Sequence, residues 1–307
     1  MENFLIKKVK NFFNKRFEKN LISQAVLKIK SLRQNYKFVK NLRKAEFKIF
    51  SQNGEDGILD FLISSINIES IKFVEIGVGD YIECNTRLIT KLYPFNGLVC
   101  DPNQNLLNNI ESYKNEFRGN LKTYNDYVSD ENIKKILEEN DFIQNLNLFS
   151  LDIDGNDYYI LNELPPGLSD IFVAEYNQNF GPDLEITIPK IKNFNRFKYH
   201  YSGLCYGVSL KSLIKLMKDK KYKFIGCNTH CCNAFFLKED LIKKNQILIE
   251  PNNNLETYFN DYICDARSVS GELISLKIKD RLQIIKDCNV INLSNNKFEN
   301  QKLSELI

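Results

Sequence analysis

The stretch KFIGCNTHCCNAFFLK, residues 223–238, decides the fold. KFIGCN (223–228) and NAFFLK (233–238) have strand composition, and only THCC (229–232) lies between them. A link that short can join neighbouring strands only as an antiparallel hairpin, because a parallel return needs a crossover of a dozen residues or more. Just upstream, VSLKSLIKLMKDKKY (208–222) repeats its apolar residues at helical spacing. A helix and a reversed hairpin therefore close whatever series of elements precedes them.

That series alternates short apolar runs with helical patterns, the mark of a parallel sheet with crossover helices. SQNGEDGILDFLISSI (51–66) reads as a helix, FVEIGVGDY (73–81) as a buried strand ending in a glycine turn, and TRLITKLY (86–93) as a helix. GLVCD (97–101), LKTYNDYVS (121–129), NLFSLDID (147–154) and IFVAEY (171–176) read as further strands, with helices at 104–115, 132–140 and from Tyr158. The expected architecture is α/β, Rossmann-like, with a seven-stranded, mostly parallel sheet, an antiparallel last hairpin and an N-terminal helical extension. Residues 177–205 are polar and aromatic, and fit an excursion over an active site. The division is 1–45, a basic helical extension; 46–242, the main domain; and 243–307, an Asn- and Lys-rich extension with no assigned role.

The chain of 307 residues is 43% hydrophobic and 26% charged, ordinary for a globular protein. It contains no run of 18 apolar residues, and its N-terminus lacks the features of a signal peptide. Eight scattered cysteines suit a reduced, cytoplasmic setting. Residues 1–45 hold thirteen basic and two acidic residues, so they carry +11 and the remainder −8 of a net +3. An acidic body argues against nucleic acid as a partner. With Leu5, Val9, Phe12, Phe13 and Phe17 along one face, the basic helix could lie on an anionic membrane, dock a partner, or pack on the acidic body.

Glu75-Ile-Gly77-Val-Gly79 stands at a strand-to-helix turn, where glycines let a ligand approach the backbone. Asp101, at the end of the second strand, suits a carboxylate that accepts both ribose hydroxyls, or an Asx turn before Pro102. The third glycine of a dinucleotide fingerprint would fall at Ile82, which disfavours NAD. Asp152, Asp154, Glu175 and Asn177 would supply hard oxygen donors at the ends of strands four and five, as Mg²⁺ or Mn²⁺ prefers. Strand alternation would put Asp152 and Asp154 on one side, with one of them free to accept N–H bonds from the turn.

Six blocks in order, SQNGEDGI, FVEIGVGDYIECNTRLI, LDIDGNDYYI, VAEYNQNFGP, CYGVSLKSL and CNAFFLKEDL, resemble the FkbM-type S-adenosylmethionine (SAM)-dependent methyltransferases of class I, over about residues 46–242. The resemblance implies O-methylation of a sugar hydroxyl on a nucleotide-linked or polysaccharide sugar, such as a capsule heptose, with SAM over Gly77 and Gly79, its ribose on Asp101 and its adenine near Tyr127 and Val128. An acidic residue before the glycines, here Glu75, is typical of such sites. Ser51, Gln52 and Glu55 could close over the methionine end with Asp152 in support, though a capping box at Ser51 explains the same residues. Likeness to more distant metal-dependent methyltransferases implies a divalent cation on Asp154 with Glu175 and Asn177. In those families two of the ligands are adjacent, whereas Tyr176 separates them here.

A base for the hydroxyl could be His200, His230 or Asp157. Tyr201 and Tyr206 could stack on a sugar face, with Asn156 as a further substrate contact. Cys227-x-x-His230-Cys231-Cys232, with Cys205 and Cys264 as available partners, evokes zinc, against which stands a tight hairpin of small residues. The expected partners are a sugar-nucleotide or glycan substrate, membrane contact through residues 1–45, and a second copy of the chain. An NAD(P)-linked oxidoreductase and a non-catalytic membrane-associated adaptor are the competing functions.

Overall fold

The computed structural model describes residues 2–261, 265–294 and 298–307, with side chains from residue 16 onward apart from residue 17. Two helices, α1 (Glu2–Arg33) and α2 (Glu55–Ser65), precede the sheet. Then come β1 (Ile71–Ile76), α3 (Arg87–Leu92), β2 (Phe95–Cys100), α4 (Leu106–Tyr113), β3 (Asn120–Tyr124), α5 (Ile133–Glu139), β4 (Leu146–Leu151), α6 (Asp157–Glu163) and β5 (Ser169–Glu175). The excursion holds β6 (Ile186–Thr187) and α7 (Arg196–Tyr199), followed by α8 (Leu210–Asp219), β7 (Tyr222–Cys227) and β8 (Asn233–Lys238). Last are α9 (Glu239–Lys244), β9 (Ala266–Arg267), β10 (Leu273–Ile274), α10 (Ile278–Ile284), β11 (Asn289–Asn292) and β12 (Glu299–Lys302).

The main sheet runs β3-β2-β1-β4-β5-β8-β7. β1 to β5 are parallel, while β8 lies antiparallel to both β5 and β7. This is the seven-stranded class I methyltransferase arrangement, and the reversed hairpin is what sets it apart from a wholly parallel dinucleotide fold. The central strands are near-continuous apolar runs because helices cover both faces. Phe73, Val74, Leu148, Phe149, Ile171 and Val173 are all fully buried. Each such side chain contributes about 2–3 kcal/mol on leaving water.

Several element ends differ from expectation. α2 begins at Glu55, because Oδ2 of buried Asp56 gathers the N–H groups of Ile49, Phe50 and Ser51 and the Ser51 hydroxyl, at 2.7–2.9 Å, and so fixes a loop ahead of the helix. β3 ends at Tyr124 and β4 at Leu151, so Tyr127, Val128, Asp152 and Asp154 all stand on loops. Strand alternation therefore does not relate Asp152 to Asp154.

The flanking segments pack on the body. Buried Glu18 of α1 meets Arg87 at 3.1 Å and Lys91 at 3.0 Å. Arg33 bonds Asp60 through Nε (3.2 Å) and Nη2, and Tyr36 bonds the same carboxylate at 2.9 Å. The side chains of Leu5, Val9, Phe12, Phe13 and Phe17 lie outside the described residues. Beyond residue 242, β11 pairs antiparallel with β6 and with β12, so the C-terminal segment builds a three-stranded sheet against the excursion. Among the described residues no helix is long and apolar enough to cross a membrane.

Candidate active site

At the C-terminal ends of β1, β2 and β4, where the order of a doubly wound sheet reverses, lies a cavity of about 930 Å³. The turn after β1 forms its floor. Gly77 adopts φ +88°, and a Cβ there would stand 1.5 Å from the Asp152 carbonyl oxygen, so no larger residue fits. Gly79 adopts φ +57°, and its Cβ position is open space. The Gly79 N–H donates to Asp101 Oδ2 (2.7 Å), while Asn103 N–H donates to Oδ1 (2.8 Å). Asp101 is thus the centre of an Asx turn and also half-exposed to the cavity, with lone pairs left on both oxygens. Burial raises its pKa, and the two N–H donors oppose that rise.

Glu75 reaches the cavity wall, but its carboxylate is committed elsewhere. Oε1 accepts from Asn85 N–H (2.7 Å), and Oε2 from Thr86 N–H (2.9 Å) and the Thr86 hydroxyl (2.5 Å). Burial pushes its pKa up to about 7 against those three donors. Glu75 therefore braces the 77–86 loop. Gln52 lines the cavity, whereas Ser51 is buried on Asp56, the capping alternative. Glu55 is buried too, accepting from Asn53 N–H and from the amides of Asn228 and Asn233, and so ties α2 to the β7–β8 link. Tyr127 and Val128 line the far wall, with Tyr127 56% exposed.

The turn 152–157 is the acidic side. Asp152, Asp154 and Asn156 line the cavity. Asp157 does not: it is buried, accepting from Ile153 N–H (3.0 Å) and Gly155 N–H (2.8 Å), with burial raising its pKa to about 6. It fastens the turn and leaves no room for a role as substrate base. Asp154 sits in the left-handed region, φ +53°, which Asp tolerates better than most residues. Its Oδ1 accepts from Arg196 Nη1 at 3.0 Å. Asp152 and Glu175 are neighbours, and each carboxyl is held well above its usual range, first by burial and then by neighbouring carboxylates.

The proposed metal set does not assemble. Asn177 is fully buried, its Nδ2 donating to the Leu204 and Tyr206 carbonyls and its Oδ1 accepting from Asn179 N–H. Glu175 does not line the cavity, and no cluster of three acidic, His or Cys side chains suited to a metal occurs among the described residues. The zinc alternative fares no better: Cys227, Cys231 and Cys232 are free thiols in the hairpin, and Cys264 lies outside the described residues.

Neither histidine lines the cavity. His200 faces the C-terminal segment, with Nδ1 2.8 Å from the Ser202 hydroxyl, and burial lowers its pKa. His230 stands on the β7–β8 link, away from the glycine turn. Tyr201 packs on His200 at 4.3 Å and is exposed. Tyr206 lies under Arg196, 5.2 Å from the guanidinium. Asn156 spends its amide on the Ile191 backbone, at 2.7 and 3.3 Å, and so tethers the excursion to the turn. Sequence reasoning missed Lys190 and Lys192, the excursion's cations at the cavity, and Arg196, which bonds the lining residue Asp154. Arg196 is the single arginine of 177–205, but it lies 42 residues from Asp154 in sequence.

The lining carries nine acidic side chains and two lysines, one of which, Lys190, is paired with Asp130 at 2.5 Å. Such a wall favours a ligand with positive charge. SAM, with a sulfonium and an ammonium, fits it: the open position at Gly79, the half-exposed Asp101 and the Asp126–Val128 wall are the residues that would hold it.

No family model and no curated protein matches the chain. Solved structures that resemble it include a small RNA methyltransferase, HEN1, at 10% identity and TM-score 0.34, over 58% of this chain and 24% of that one. Another is an O-methyltransferase family 2 protein from Planctomyces limnophilus in complex with apigenin, at 13% identity and TM-score 0.32, over 54% and 49%. A third is the cyclopropane synthase MmaA2 from Mycobacterium tuberculosis, at 8% identity and TM-score 0.34, over 64% and 75%. The chain thus spans about a quarter of the first of these proteins and half of the second.

Proposed function

We propose that the chain is a SAM-dependent O-methyltransferase acting on a sugar hydroxyl. The observation that carries this is one constellation: an acidic cavity at the switch point of a sheet with a reversed last hairpin, where the Gly77–Gly79 turn meets Asp101. SAM would supply the electrophilic methyl group. The chain's part is to orient a hydroxyl and take its proton. Asp154 supports that role, because its carboxylate is half-exposed at the cavity while Arg196 holds only one of its oxygens. Enclosure by protein raises its pKa, with Arg196 opposing, and a carboxylate with a stronger hold on protons is the better base. The resemblance of the six sequence blocks supports a sugar as the acceptor, and exposed Phe197 on the excursion offers a stacking face.

Calorimetric titration with SAM and with NAD, followed by transfer of labelled methyl to a panel of nucleotide sugars and glycans, tests the proposal. SAM binding with methylation of a sugar supports it. Tight NAD binding without SAM binding overturns it. A cytoplasmic site of action and peripheral contact with anionic lipid belong to the same proposal. Exposed Lys19, Lys28 and Lys30 on α1 support the lipid contact, and sedimentation with anionic vesicles tests it.

A further inference from the structure

The turn after β4 brings Asp152, Asp154 and Asp157 into six residues, and Glu175 and Asp265 join them in space. Carboxylates at that density need compensation, and the chain supplies two kinds. Asp157 takes two backbone N–H groups. Asp154 and Asp265 are bridged by one guanidinium: Arg196 Nη1 lies 3.0 Å from Asp154 and Nη2 3.3 Å from Asp265, whose other oxygen meets Arg267 at 2.9 Å.

We infer that Arg196 is the built-in cation of this cluster, filling the role that a divalent ion would have, and that the site works without a metal. Three features give the guanidinium a fixed seat. Its side chain is only 19% exposed. It is flanked by the Phe197 and Tyr206 rings at 5.0 and 5.2 Å. The Asn195 side chain caps α7 by accepting from Lys198 N–H at 3.0 Å, which fixes the backbone that carries it. A guanidinium stays charged at any working pH and matches carboxylate geometry with two donors. Mg²⁺ or Mn²⁺ would need oxygens near 2.1 Å around one point. Here Asp154 Oδ1 is taken by Arg196, Asn177 is spent on carbonyls, and Glu175 lies behind Asp152. Arg196 is a positioning residue in this account: it holds Asp154 where the carboxylate faces the cavity.

The test uses the full chain and Mn²⁺ alone, with binding read by electron paramagnetic resonance and stability by thermal unfolding with and without the ion. The wild type is expected to bind no Mn²⁺ and to show no shift in Tm. Arg196→Met removes the charge without adding an oxygen donor, and is expected to lower Tm by about 5 °C. Arg196→Lys keeps a cation and is expected to behave as the wild type does. Stoichiometric Mn²⁺ binding by the wild type that is lost in Asp154→Asn would overturn the inference, and so would an Arg196→Met as stable as the wild type. Should Arg196→Met not fold, Mn²⁺ binding by Arg196→Lys overturns the inference and its absence there supports it. None of these readouts uses SAM, so their failure is distinct from failure of the methyl-transfer proposal.

Discussion

Replacing Gly77 and Gly79 separately by alanine sets two costs against each other. Both positions lie at positive φ, where an L side chain costs about 1–2 kcal/mol. At Gly79 nothing stands within 4 Å of the new methyl group, so the strain is the whole cost to stability. At Gly77 the methyl would lie 1.5 Å from the Asp152 carbonyl oxygen, where contacts under 3.0 Å essentially never occur. The two turns must separate by about 1.5 Å, which loosens the bonds from Asp152 N–H to Ile76 O and from Gly77 N–H to Cys100 O, each 3.0 Å long. At about 1 kcal/mol for each bond, Gly77→Ala should lose about 3–4 kcal/mol in all. Urea unfolding of both variants reads these values. Gly79→Ala should show the opposite emphasis: a loss of only about 1–2 kcal/mol in stability but weakened SAM binding by calorimetry, because its methyl group enters the cavity. A Gly77→Ala variant as stable as Gly79→Ala would refute the close approach of the two turns.

Asp101→Asn should weaken SAM binding about 10- to 100-fold, the worth of charge-assisted hydrogen bonds, as read by calorimetry; unchanged affinity would remove the ribose assignment. Glu18→Gln leaves buried Arg87 without its carboxylate, while Lys91 keeps Glu116 at 2.8 Å, and should cost about 3 kcal/mol in urea unfolding. The pH dependence follows from acids whose pKa is raised by burial: Asp56 and Asp157 to about 6 and Glu75 to about 7. The folded chain holds these protons after the unfolded chain has released them, so stability is greatest below about pH 4 as far as these groups are concerned, and falls as pH rises through 6 and 7. Glu75→Gln should flatten the part of that decline attributable to Glu75, about 3 kcal/mol, and an equally steep decline in the variant would contradict the assignment.

The hairpin at 223–238 was legible because link length alone dictates strand direction, and the direction of β8 then fixes the sheet class. The glycine turn and Asp101 were legible because their spacing follows from the strand-turn-helix unit. The turn after β4 was less so. Reading the strand on to Asp154 assumed that the apolar run decides its end, whereas Asp157 reaches back to Ile153 and Gly155 and bends the chain after Leu151. The two histidines attracted attention for their chemistry, but their position depends on how the excursion packs, and no local pattern records that. Arg196 escaped for the same reason: it lies 42 residues from Asp154, on a segment without periodicity. Asn177 shows the reverse error, a polar residue at a strand end whose task is to satisfy the carbonyls of a loop.

The pairing of β6 with β11 has a consequence for how the chain comes off the ribosome. Ile186 and Thr187 wait for Asn292 and Ile291, about 100 residues later. The sheet is complete once Lys238 has emerged, with β11 still to be made. Domains fold as units during synthesis, so the nascent chain acquires its cavity floor before the partner strand of the excursion exists. The segment carrying Arg196 is therefore seated by a strand made well after the sheet, and the acidic cluster receives its counter-charge in its final setting only once Asn292 has been made.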